Sequence, residues 1–210
     1  MRPSILLVGT LLASAAHAGE AARTLELQRP VEGVATVHIQ AGVGEVEILA
    51  STQPVISVRV EISADSSSRR SRRQAEELDA AQLAVEERGD TLELQVRHQR
   101  RTKEWHESWF VLLPEHLART IKLGVGDVRI LDASGNVSVE VGVGEVRIEG
   151  NWAAYGRIAG NSGVGDVVLR SPAGRQRGTG FVGHQLRAEG PGAATIEVNT
   201  GVGDIDIRLR

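Results

Sequence analysis

The sequence predicts an all-β chain folded as a β-solenoid with rungs of about 18–21 residues, an N-terminal β cap and a short helical insert. The first observation behind this is a Gly-Val-Gly-acid-apolar motif that occurs five times. It reads GVGEVEIL from Gly42, GVGDVRIL from Gly124, GVGEVRIE from Gly142, GVGDVVLR from Gly163 and GVGDIDIR from Gly201. The second is spacing: the last four copies start 18, 21 and 38 residues apart, and 38 is close to two steps of 19. The third is parity. Val37, Ile39, Ala41 and Val43 share one strand face, whereas Val46 and Ile48 fall on the other, and each later copy repeats the switch. A strand that ran straight would expose its second half, so a bend beside each glycine is expected, with both arms facing one core.

In chain order, the first segment reads as an export signal. Arg2 gives a positive start, residues 5–16 are an apolar run too short to span a bilayer, and Ala16-His17-Ala18 has the form of a cleavage site. Residues 1–18 are expected to be removed, leaving Gly19 as the mature start. The chain has no cysteine, which excludes a lipoprotein anchor, disulfides and thiolate chemistry, and no later apolar run is long enough to cross a membrane. The expected location is periplasmic or secreted.

Residues 19–117 read as the cap. Ile56, Val58, Val60 and Ile62 alternate as a strand, and the charged insert of about 65–104 favours a helix over 72–84. LAVEE and TLELQVR flank Arg88-Gly89-Asp90 as a hairpin, and WFVLLP is a strand ended by proline. Arg88-Gly89-Asp90 also spells an integrin-type tripeptide, but turn chemistry alone accounts for it. Residues 118–210 read as the repeat array of the same domain, with turns at 132–136, 150–156, 171–178 and 189–193. The 38-residue step predicts a degenerate copy at 181–188.

WFVLLPEHLARTIKLGVGDVRI, followed by glycine-acid-Val/Ile units and preceded by a signal peptide, resembles the bacterial "putative adhesin" domain of unknown function, the toastrack-type β-solenoid group, over roughly residues 31–210. The resemblance implies a right-handed solenoid, no assigned enzymatic activity, and roles in envelope adhesion or stress sensing. That family more often carries Ser-Gly-Asp where this chain has Val-Gly-Asp or Val-Gly-Glu, so no ligand role for a hydroxyl carries over.

The glycines are read as structural corners: Gly42 and Gly44, Gly124 and Gly126, Gly142 and Gly144, Gly163 and Gly165, Gly201 and Gly203. Their acidic neighbours Glu45, Asp127, Glu145, Asp166 and Asp204 would stack about 4.8 Å apart in a parallel array. Such a column can accept hydrogen bonds from corner amides, bind calcium, or, as paired carboxylates, serve glycoside hydrolysis. Calcium-binding rolls repeat at about half this period, and a ladder gives every pair the same environment, whereas catalysis needs two. The aromatics group as Trp105, Trp109 and Phe110 around His106, and Trp152 with Tyr155. They form either a partner surface for sugars or proteins, or plugs of the cap and a loop. The clusters at 69–73 and 97–101 are basic, but nine basic residues balance nine acidic ones from Asp65 to Glu104. The formal net charge of −3 gives no general pull toward nucleic acid. Histidines lack metal-ligand spacing, and no phosphate loop or dinucleotide fingerprint occurs, so no cofactor is expected.

These readings converge on a non-catalytic, exported, adhesin-like binding or scaffold domain of the cell envelope, with an unidentified envelope protein or glycan as partner and no nucleic acid. The alternatives are an envelope-stress sensing or transport accessory protein and, more distantly, a polysaccharide-active β-helix enzyme.

Overall fold

The computed structural model describes residues 22–64, 72–98, 105–180 and 183–210. The expected signal peptide, most of the 69–73 cluster and part of the 97–101 cluster lie outside them. The N-terminal half comprises β1 (Ala22–Pro30), β2 (Thr36–Ser51), β3 (Val55–Ala64), α1 (Arg72–Asp79), β4 (Gln82–Arg88), β5 (Thr91–Arg97) and β6 (Trp105–Pro114). Next come β7 (Ala118–Ala133), β8 (Val137–Val143), β9 (Val146–Gly150), a 3-10 turn at Trp152–Ala154, β10 (Tyr155–Val164) and β11 (Val167–Ser171). The chain closes with β12 (Gly174–Arg177), β13 (His184–Glu189), β14 (Ala194–Val202) and β15 (Ile205–Leu209). The described residues are thus nearly all β, in one connected sheet network that does not close on itself. The β4–β5 hairpin lies where the sequence placed it, and the helix starts as expected at Arg72 but ends at Asp79, because residues 82–84 join β4 instead.

Each motif copy forms one two-armed layer. In β2 and β7 the strand runs through the bend; elsewhere the arms are β8 and β9, β10 and β11, β14 and β15. Layers pair parallel and in register, so that Val43, Val125, Val143, Val202 and Val164 form one line of pairing partners. Inward residues Val37, Ile39 and Ala41 of the first arm and Val46 and Ile48 of the second are buried, and their counterparts in the other layers continue the core. The parity switch is real but falls two residues earlier than expected. Gly42 and Val43 both face outward, so the first arm's inward set ends at Ala41.

The stacking order corrects the simple picture of successive turns. The layer β14/β15 lies between β8/β9 and β10/β11, pairing with β8 and β9 on one side and β10 and β11 on the other. The expected degenerate copy explains why. Residues 184–189 form no parallel layer: β13 runs antiparallel on β10, and β12 antiparallel on β11. These strands occupy the outer edge of the β10/β11 layer, so the final layer can pair only at its inner edge. It gets there across the start of β10, where Gly190, Gly192 and Ala193 donate to the carbonyls of Gly156, Tyr155 and Ala154.

The opposite end is finished the same way. β5 and β6 pair parallel with the two arms of β2, β4 lies antiparallel on β5, and β3 then β1 lie antiparallel beyond β6. Residues 36–51, within the span read as cap, therefore form a full layer. The exposed flanking strands are rich in charge, with Glu26 and Arg29 on β1, Glu86 and Glu87 on β4, and Arg175 and Arg177 on β12. Charged edges oppose further strand addition.

Candidate functional site at the glycine bend

Two different demands fix the two glycines of the motif. The second needs positive φ: Gly126 has φ 127°, and a Cβ there would lie 1.7 Å from the Gly44 carbonyl oxygen. The first needs only close approach, since a Cβ on Gly124 would lie 2.6 Å from the oxygen of Gly42. The copies at Gly142, Gly201 and Gly163 repeat this pair of constraints in stacking order, whereas at the first copy only Gly44 is so confined and Gly42 meets just the Glu107 carboxylate at 4.0 Å.

The bend presents two columns to solvent. One is the valine ladder, whose members are 38% exposed at Val43 and 61% at Val164; among the described residues only Val85 and Phe110 are comparably exposed large apolar side chains. The other is the acidic column. Asp127 accepts the Glu145 amide at 2.8 Å, and Asp204 accepts the Asp166 amide at 2.7 Å. These aspartates tie one layer to the next. Asp166, at the end of the column, faces Arg177 at 3.6 Å and His184 at 3.9 Å. Among the described residues, no three His, Asp or Glu gather closely enough to hold a metal ion. Beside the bend runs an open groove of about 610 Å³, floored by Gly124, Gly142 and Gly201 and walled by Gln40, the Lys122–Glu140 pair and Asn199.

Of the two readings of the aromatics, burial as plugs fits most of them, while Phe110 stays exposed. Trp105, Trp109 and Tyr155 are buried, and Trp152 packs half-buried against the core with its ring over Gly190. Three of these rings have a defined partner in the interior. The Trp109 indole donates to Glu107 Oε2 at 2.9 Å, and the Tyr155 hydroxyl donates to the Ala133 carbonyl at 2.9 Å. Trp105 stacks on His98, with ring centroids 5.8 Å apart, and His98 Nε2 lies 3.5 Å from Glu107 Oε1.

Two buried charges escaped sequence reasoning. Glu107 lies in phase with Trp105 and Trp109 and is 6% exposed. Arg119 lies in phase with Ile121, in the inward column between Val37 and Val137. Its guanidinium donates to the carbonyls of Glu115 at 2.7 Å and Leu117 at 2.8 Å, while Nη1 has no partner. Burial lowers the pKa of Arg119. Burial also pushes the Tyr155 hydroxyl up to about 12, against the opposing pull of the Arg119 charge. Phase with known core positions was the available signal for both residues.

No family model matches the chain, and no curated protein matches it in sequence. Among solved structures, a "putative cell adhesion protein" from Clostridium sporogenes is 18% identical with a TM-score of 0.48, over 90% of this chain and all of that one. A "putative adhesin" from Bacteroides fragilis is 13% identical with a TM-score of 0.26, over 88% of this chain and 97% of that one. Another from Parabacteroides distasonis is 9% identical with a TM-score of 0.22 over the same shares. At these scores neither fold nor binding activity transfers from those proteins to this chain.

Proposed function

We propose that this chain is an exported, non-catalytic, adhesin-like binding or scaffold domain of the bacterial cell envelope, built on a right-handed toastrack-type β-solenoid and processed after residue 18. The valine ladder carries this reading. Five aliphatic side chains held outward in one line keep 38–61% of their surface open to solvent, and a contiguous exposed apolar feature on a polar surface marks a contact site. The ladder measures one side chain across, too narrow for the roughly 800 Å² per partner of a stable protein pair, and so suits a repetitive or extended envelope partner. The acidic column, open to solvent along the bend and tied layer to layer, supports a structural role over calcium binding or catalysis.

Sedimentation with isolated envelopes tests this. The triple variant V125S/V143S/V202S is expected to keep its melting curve and lose most of its envelope association. Undiminished association, or release of product from cell-wall glycans by the unaltered protein, would overturn the reading.

A further inference from the structure

We propose that the outward face of the second arms binds a linear, phosphate-bearing polymer laid across the strands. One row of side chains crosses β7, β9, β15, β11 and β12, a span of roughly 19 Å, and a second beside it crosses the last four of these strands. In one row Arg129, Arg147 and Arg177 line up with Asp206 and Val168. In the other Arg208, Arg170 and Arg175 follow Glu149. Six arginines therefore share these rows with two carboxylates. Asp206 is already divided between Arg170 and Arg208, and Glu149 between Arg208 and Arg210. Arg129 and Arg175 are exposed and form no ion pair among the described residues, although Glu47 of β2 stands beside Arg129 in register, and Arg147 Nε is buried without a hydrogen bond. The rows thus hold a surplus of guanidinium groups, each able to grip a phosphate with two parallel hydrogen bonds.

The neighbouring column decides the shape of the ligand. Asp127, Glu145, Asp204 and Asp166 lie on the same face, two residues nearer the bend. A flat anionic bilayer would cover both strips and meet a face close to neutral. A single chain can follow the arginine rows while the acidic column bars it from the bend. Between Arg129 and Arg175 neither row contains an aromatic ring, so nucleobases would find nothing to stack on. This deepens the binding-domain reading and rests on it, naming a partner chemistry for a face separate from the valine ladder.

The test uses end-labelled inorganic polyphosphate as probe, followed by fluorescence anisotropy with the purified chain. Binding is expected at low salt, weakening with a log–log slope of about −3 to −4, as for roughly five phosphate contacts. The triple variant R129Q/R175Q/R177Q removes exposed side chains and a single ion pair, to Asp166, so its melting curve should hold. Its affinity should fall about tenfold or more, since each lost contact weakens the salt-dependent attraction. Undiminished binding by that variant, a flat salt dependence, or equal affinity for phosphatidylglycerol vesicles or oligo-dT overturns the proposal. Envelope sedimentation of the same variant separates the two ideas. A variant that loses neither polyphosphate nor envelope association refutes the arginine face alone, whereas loss of envelope association on valine replacement still supports the binding domain.

Discussion

Five layers turn their corner on Gly-Val-Gly, whereas at the same corner the layer made by β5 and β6 places Glu107, in register with Gly44, together with His98 and Trp105. The repeated corner excludes side chains: backbone stacks on backbone, and the constraint is steric. The single corner is filled instead, by a buried carboxylate that accepts an indole N–H and sits against an imidazole. A repeated solution uses residues that tolerate their own copies above and below. A carboxylate cannot be stacked inward on every layer without burying like charges, so it can serve only at an end.

This contrast can be broken at its strongest point first. Gly126→Val places a Cβ against the Gly44 carbonyl at a positive φ, and should cost about 4 kcal/mol or more, read as loss of folded yield. Glu107→Ala should cost about 2–3 kcal/mol, because the Trp109 indole is left buried without an acceptor. For a chain of this size that shifts the melting temperature by roughly 4–12 °C. A loss as small as that of a surface change would show the single corner to be held by packing alone.

The far end of the core gives a pH test. Tyr155 is the only tyrosine, so alkaline phenolate absorbance reports on it alone. Its folded pKa of about 12 exceeds the ordinary value of 10, so its contribution is intact below pH 10 and lost between pH 10 and 12. The loss is on the order of 2 kcal/mol, and Arg119, whose pKa burial lowers, works in the opposite sense. A titration midpoint near 10 in the folded protein would remove the buried tyrosine from this account. The smallest effects belong to the acidic column. Asp127→Ala should cost about 1 kcal/mol through the lost bond to Glu145, whereas Glu45→Ala should stay within about 0.5 kcal/mol.

The bend was legible because it repeats: a strand that changes phase beside a glycine, five times over, has to turn a corner there. Val43 was placed on the wrong face, and the end of the first arm two residues too late, because parity locates a slip only to within the interval between the last residue of one phase and the first of the next. The aromatics stayed open between surface and core for a different reason. A ring flanked by polar residues reads alike on a surface and in a core with polar partners, and only the Glu107 and Ala133 acceptors distinguish the two. Arg119 was hidden by its type, since an arginine on an inward phase is discounted until nearby carbonyls are seen to satisfy it. The arginine face could not be read from spacing, because β12 turns back on β11 and β15 enters from 38 residues downstream.

The order of the layers has a consequence for how this molecule can be shortened. In an array that stacks in chain order, trimming the terminal repeat leaves a shorter but continuous rod. Here residues 194–210 act as a wedge driven into the middle, bonded to β8 and β9 on one side and β10 and β11 on the other. Deleting them would split the sheet into two bodies held by the short turn at residues 151–154 and the Tyr155–Ala133 hydrogen bond, with four raw strand edges facing each other across an empty slot.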